Sequence, residues 1–294
     1  MKSARYVFVG DRFPVLNRMI ALGLDIVGVY CARDFFHGEP LAHPNLTVNT
    51  ITDKSSLIDE LSRPSFDVLV SNGCPYILPV SQMKTAEQIF INIHASLLPD
   101  FPGPHPVNAA MLAGKDGGAT CHHMHDKVDS GEIITQVPVV NTPDMDLGLL
   151  YMLTLWAEAD AFEAALARDF RADEQYTNQA KPDSYFKITP EQMQIDFSKT
   201  AEEMCRHIRA FGILSQGARF TYNGHEFKVF DAELCANPYL CMKAEGYQEN
   251  QIIFIYDGTM VIRKGNAFLK LKNVQTDCPS VSVGDILSNK FSSV

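Results

Sequence analysis

No stretch of this sequence stays apolar for the roughly 18 residues that a membrane-spanning helix requires, so no helical span is expected. No two cysteines stand as C-x-x-C. The seven present (Cys31, Cys74, Cys121, Cys205, Cys235, Cys241 and Cys278) are odd in number and scattered. That speaks against a structural zinc site or a disulfide framework, and for thiols in a reducing compartment. A Lys/Arg-rich run is also missing, and 35 acidic residues outweigh 25 basic ones for a net charge of −10. A protein that grips a phosphate backbone gains affinity by placing Lys and Arg against it, so nucleic acid is disfavoured as a partner. Gly10, after the first apolar run, does not open a G-x-G-x-x-G, and no dinucleotide site is read from it. Met1 to Arg12 lacks the basic-then-apolar profile of a signal peptide, so the cytoplasm is the expected compartment. There is no repeat and no low-complexity segment.

What is present is an ordinary globular pattern, long enough for one large and one small domain. Residues 6–9, 25–30, 66–70 and 89–93 are short apolar runs. They alternate with amphipathic stretches such as 15–22, the pattern of a parallel sheet wrapped by helices. Leu147 to Phe170 has the spacing of a long packing helix, with Thr142-Pro143-Asp144 as its expected start. Arg171 to Ser184 loses its aliphatic residues apart from alanine and reads as a linker. Thr200 and Glu203 then have capping-box spacing before a short helix. Asn223-Gly224 and Asp257-Gly258 each sit between β-rich runs and predict tight hairpins, because both central turn residues need positive φ. Gly265-Asn266 before Ala267 is a candidate third turn. The tail is therefore expected to be a small, mostly antiparallel β domain.

Chemistry concentrates between Phe90 and Gln136. Alternation puts Asn92 and His94 on one face of a strand, one pleat apart, at the carboxyl end where such sheets bind ligands. The pair alone also fits two polar residues satisfied at a strand end. Next come Ser96-Leu97-Leu98-Pro99, the loop Phe101-Pro102-Gly103-Pro104-His105-Pro106, a further strand from Gly117 to Met124, and the turn Asp129-Ser130-Gly131. An amide, an imidazole and a carboxylate suit acyl transfer to an amine: one polarises the carbonyl, one takes a proton, one orients the base. His122, His123 and His125 raise a metal reading. On a strand His122 faces away from the other two, so the three do not converge, and no metal is expected. His122 is read as a pocket-edge residue.

At these residues the sequence resembles the folate-dependent N-formyltransferase family, which includes methionyl-tRNA, glycinamide ribonucleotide and amino-sugar N-formyltransferases. The shared pattern is Asn-x-His, a Ser-Leu-Leu-Pro loop and an Asp-x-Gly turn, here Asn92, His94, Ser96–Pro99 and Asp129–Gly131. The likeness continues through Ile188-Thr189-Pro190-Glu191, Ile195-Asp196-Phe197 and Ile208-Arg209-Ala210. It implies an α/β fold: a Rossmann-like parallel-sheet catalytic domain over 1–187, followed by a small, mostly-β (OB-like) domain over 188–294.

The resemblance also implies roles. A neutral amine attacks the formyl carbon of the co-substrate 10-formyltetrahydrofolate. Asn92 would donate to the developing oxyanion, an interaction whose loss costs about 10²–10³ in rate. His94 would be the base or a second donor, and a positioned base contributes about 10²–10⁴. Asp129 would hold the imidazole and relay the proton. The pterin walls are expected at Tyr76, Ile77, Leu78, Leu98, Asp126 and Val128, although any single side chain of Tyr76–Leu78 also fits ordinary core after a strand. Gly103, His105 and Asn108 are expected to face the amine substrate, from loop position.

The acceptor is expected to be a small amine on a nucleotide-linked amino sugar. Glycinamide ribonucleotide enzymes usually lack the tail. The charge and Asp100-Phe101-Pro102, where a basic loop would be expected, disfavour methionyl-tRNA. A hydroxyornithine-type amino acid, methionyl-tRNA and a formyltetrahydrofolate hydrolase stay as alternatives, and a homodimer is left open.

Overall fold

The structure, a computed structural model, describes residues 4–31, 46–179, 185–277 and 281–289. Cys278 and the part of the linker from Lys181 to Ser184 lie outside the described residues. The chain divides into two compact units. One comprises Met1–Val107, Asp116–Asn141 and Leu150–Phe186, and the other Asn108–Lys115, Thr142–Leu149 and Lys187–Val294.

Along the first part of the chain run β1 (Arg5–Gly10), α1 (Phe13–Ala21), β2 (Asp25–Cys31), β3 (Asn49–Thr50), α2 (Lys54–Leu61), β4 (Val68–Asn72), α3 (Val80–Met83), β5 (Ile89–His94), α4 (Pro106–Ala113), β6 (Gly117–His123), β7 (Ile133–Val139) and α5 (Leu147–Ala167). The strands form one sheet in the order β3-β2-β1-β4-β5-β6-β7. Pairing is parallel from β3 through β5, whereas β6 runs antiparallel to β5 and β7 antiparallel to β6. The expected parallel sheet therefore ends at β5. A parallel neighbour needs a crossover that carries the chain back to the end at which the previous strand began. Here Thr120 of β6 pairs with His94, so the chain re-enters beside the strand end it left.

Alternation along the strands builds two cores. Tyr6, Phe8, Ile91 and Ile93 pack with Leu16 and Met19 of α1 and with Ala157, Ala161 and Phe162 of α5. Val7, Val9, Leu69 and Phe90 pack on the other face with Leu57 and Leu61 of α2. Each fully buried side chain of this size contributes about 1.5–3 kcal/mol relative to exposure. Helix α5 starts later than expected. Asp146, not Thr142, accepts from the Leu149 amide at 2.8 Å, and Thr142 closes a turn ahead of it by accepting the Met145 amide on its carbonyl at 2.9 Å.

The second part continues with α6 (Ala201–Arg209), β8 (Ala218–Tyr222), β9 (His225–Val229), β10 (Asp231–Cys235), α7 (Pro238–Cys241), β11 (Ile252–Tyr256), β12 (Thr259–Lys264), β13 (Ala267–Lys272) and β14 (Gln275–Thr276). Two antiparallel sheets result, β10-β13-β12-β11 and β14-β9-β8. Thr200 and Glu203 form the expected reciprocal capping box of α6. Both hairpin turns have positive φ at both central residues, 49° and 81° at Asn223 and Gly224, 44° and 69° at Asp257 and Gly258. The six cysteines among the described residues are free thiols.

Candidate active site

Two strand ends set the site. Antiparallel pairing of β5 with β6 places Asn92 directly opposite His122 and His94 opposite Thr120. Directly opposed residues stand about 4.5–5.5 Å apart at Cβ, close enough for their side chains to bond. The Asn92 amide nitrogen lies 3.2 Å from His122 Nε2. On its other side, His122 Nδ1 lies 2.7 Å from the backbone oxygen of His123. Burial, opposed by the charge of Asp129, pulls the His122 imidazole down to about 4, so the ring is neutral at physiological pH.

Asp129 arrives from the turn after β6. Its Oδ1 is 3.5 Å from His94 Nδ1 and 3.8 Å from His122 Nε2, and its Oδ2 accepts the Gly103 amide at 2.9 Å. His94 Nε2 is 3.0 Å from the carbonyl of Phe101. A carbonyl only accepts, so that nitrogen carries hydrogen and Nδ1 of a neutral ring points its lone pair toward Asp129. A proton arriving at Nδ1 would be held between imidazole and carboxylate. His94, His122 and Asp129 are buried, while Asn92 keeps partial access to solvent. Of the amide, imidazole and carboxylate expected together from sequence, His94 and Asp129 face one another at 3.5 Å, and Asn92 is linked to them through His122.

The surrounding loops are tied in place. Ser96 Oγ donates to the Asp100 carbonyl at 2.7 Å, and Thr120 Oγ1 accepts the Leu98 amide at 3.0 Å while donating to the Ser96 carbonyl at 2.6 Å. Asp129 itself has φ of 52°, a left-handed backbone that a non-glycine residue adopts only under external hold. Asn178 supplies that hold: its amide donates to the carbonyls of Asp129 at 3.0 Å and Gly131 at 2.7 Å. Gly131 is needed for space, since a Cβ there would sit 1.8 Å from the His123 oxygen. Asn178 lies in the stretch read as linker, and nothing in its local sequence marks it.

The residues expected at the folate separate into two sets. Leu78 and Leu98 are buried, and Tyr76 packs partly buried against the core. Ile77 is 61% exposed and Val128 is 40% exposed. Their loops are joined where Asp126 accepts the Ser81 amide at 3.0 Å, and Ser81 holds the Asp126 carboxyl below its usual range. Of the residues expected at the amine, Gly103 binds Asp129 and His105 is half-buried. Asn108 is buried, and its amide donates to the Ala210 carbonyl at 2.7 Å and to Gln216 Oε1 at 2.8 Å. Its nitrogen is thus committed to holding protein together. His125 pairs with Glu132 at 3.1 Å, and among the described residues no group of three or more His, Cys, Asp or Glu is arranged to hold a metal ion.

A second buried polar group lies in the same unit. Arg12, after β1, bonds Glu158 of α5, and its guanidinium lies 5.9 Å from the Tyr151 ring centre. Burial pushes the Glu158 carboxyl up and the Arg12 charge opposes it. Asn72 at the end of β4 donates to the Ile93 carbonyl at 3.0 Å, bracing the backbone just before His94. Sequence reading singled out none of these three. Cavities of about 660 and 220 Å³ occur in the second unit and are lined by no member of the Asn92 cluster.

Residues 32–166 match the family model described as formyl transferase, and residues 187–290 match that of the formyl transferase C-terminal domain. The chain is 29% identical over 255 residues to methionyl-tRNA formyltransferase of Halalkalibacterium halodurans, covering 80% of each. The N-formyltransferase of Helicobacter canadensis, solved with folinic acid and dTDP-3-aminofucose, matches with a TM-score of 0.68 at 15% identity, over 92% of this chain and 99% of that one. The sugar 3N-formyl transferase WlaRD, solved in the presence of dTDP and 5-N-formyl-THF, matches with a TM-score of 0.69 at 17% identity, over 92% and 98%. At these identities the two structures bear on the fold.

Proposed function

The chain belongs to the formyl transferase family, and on that premise we propose that it moves a formyl group from 10-formyltetrahydrofolate to the primary amine of a nucleotide-linked amino sugar. The observation that carries the reading is the cluster at the carboxyl end of β5, where His94 faces Asp129 at 3.5 Å and Asn92 bonds His122, itself 3.8 Å from Asp129. In this reading residues 1–187 form the catalytic domain and 188–294 the β-rich domain.

Bound folate supplies the activated formyl group. The protein supports it with exposed apolar side chains, Ile77 and Val128, on loops tied by Ser81 and Asp126; a flat heteroaromatic ring gains by covering such surface. Asn92 has a second N–H that takes no hydrogen bond among the described residues, and it donates to the formyl oxygen. His94 takes the amine proton at Nδ1, and Asp129 holds the resulting imidazolium. As the bond from the formyl carbon to the folate nitrogen breaks, that proton passes to the departing nitrogen, leaving tetrahydrofolate and the N-formyl product.

Two observations support a sugar acceptor: the net charge of −10 with Asp100-Phe101-Pro102 at the loop, and the aminofucose nucleotide in the Helicobacter canadensis enzyme. A second reading, methionyl-tRNA, is favoured by the 29% identity to the Halalkalibacterium halodurans enzyme. The deciding experiment gives the purified protein 10-formyltetrahydrofolate with a panel of nucleotide-linked amino sugars, with charged initiator tRNA, or with no amine. Transfer to a sugar is expected, with no tRNA binding at physiological salt. Tight, salt-sensitive tRNA binding with transfer to methionine would replace the sugar reading, and formate release without any amine would replace transfer by hydrolysis.

A further inference from the structure

We propose that His122 is a positioning residue for formyl transfer, fixing which end of the Asn92 amide faces the reacting carbonyl. The inference rests on the reading of Asn92 as the oxyanion donor.

The backbone oxygen of His123 decides the tautomer. It lies 2.7 Å from His122 Nδ1 and only accepts, so Nδ1 carries the ring hydrogen. Nε2 is then a lone pair, and only an N–H can approach it at 3.2 Å. The Asn92 group facing His122 must therefore be its NH₂ and not its oxygen. One N–H is committed to the histidine, and the planarity of the amide directs the other. Without His122 the amide has two orientations, one of which turns its oxygen toward the place where negative charge develops.

His122 is poorly suited to act as the base itself. Its lone pair is engaged by Asn92, its contact to Asp129 is 3.8 Å, and it is 98% buried. Its partner set also explains why it must stay neutral: an imidazolium would donate from both nitrogens and reverse the amide. The groups facing it are Asp129, His94, His123 and Asn92. Gly131 belongs to the same arrangement, because only glycine lets the Asp129 turn close onto the His123 carbonyl that sets the tautomer.

The test combines kinetics with a measurement independent of turnover. His122→Leu should lower kcat by at least about twofold, for an amide free to take either orientation, and by up to about 10²-fold if the turned orientation prevails, the effect of losing one aligned oxyanion donor, with KM for folate and amine nearly unchanged. His122→Gln keeps an acceptor near the Nε2 position and should restore most of the rate. The double variant Asn92→Ala with His122→Leu should be no slower than Asn92→Ala alone, since both remove one device. In parallel, ¹⁵N resonances of the wild-type His122 ring at pH 7 should show hydrogen on Nδ1 and a bare Nε2 whose signal shifts in Asn92→Ala. A wild-type rate in His122→Leu, additive losses in the double variant, or hydrogen on Nε2 would each overturn the proposal. If the wild-type enzyme formylates no amine, the functional reading fails, and the ¹⁵N result still decides the His122–Asn92 arrangement.

Discussion

Two buried polar clusters, one in each unit, differ in a way that separates structure from chemistry. In the second unit Lys264 is 6% exposed, and its ammonium donates to Phe197 O at 2.7 Å, Glu249 Oε1 at 2.9 Å and Asn250 Oδ1 at 2.9 Å. A lysine has three N–H groups, and all three are engaged. In the first unit Asn92 uses one N–H, His94 leaves Nδ1 3.5 Å from a carboxylate, and Asp129 sits beside two imidazoles without a close bond to either. Both clusters bear the cost of desolvation. A cluster that satisfies itself stabilises the fold, and one that keeps bonding capacity is available to a reacting group.

Three substitutions sharpen or break this contrast, beginning with the largest effect. Asp129→Asn keeps shape and removes charge, so it should leave folding intact and lower kcat about 10³-fold or more, as loss of a base-orienting carboxylate does. Near wild-type turnover, measured with the best acceptor from the panel, would remove Asp129 from the mechanism.

The second effect is pH dependence. The folded His122 ring titrates near 4, below the ordinary value of about 6.5. Above pH 6.5 both states are neutral and its contribution to stability is complete. As pH falls toward 4 the unfolded chain takes up a proton that the native state refuses, and on the order of 3 kcal/mol is lost across that window. Urea unfolding of wild type and His122→Gln at pH 7 and pH 4.5 should show the larger drop in wild type. Equal drops would mean that His122 is not held neutral.

The smallest effect belongs to the self-satisfied cluster. Lys264→Met leaves buried acceptors unpaired and should cost about 2 kcal/mol, with turnover per folded molecule unchanged. Glu249 is half-exposed, so solvent screens its share. A fall in kcat without a fall in Tm would break the contrast.

Much of this was legible beforehand where the signal is local. Asn-Gly and Asp-Gly require their turns because few other residues tolerate positive φ twice in succession. Thr200 and Glu203 announce a helix start by their own hydrogen bonds. Asn92 and His94 stand out because polar side chains interrupt an apolar strand. The antiparallel run of β6 was not legible, since alternation is the same in either direction. The engagement of the Asn108 amide was not legible either, because its partners, Ala210 and Gln216, lie about a hundred residues away.

By itself, then, the amino-acid order determined the strand and turn positions, the mostly-β tail and the residue types needed for acyl transfer, because backbone preference and side-chain period act over a few residues. The folded chain decided that His122 faces Asn92, that Asn178 grips the Asp129 turn, and that Leu78 and Leu98 are core while Ile77 and Val128 are open. Those facts depend on strand register and loop closure between distant segments, and a one-residue slip in either would turn each side chain to the other face.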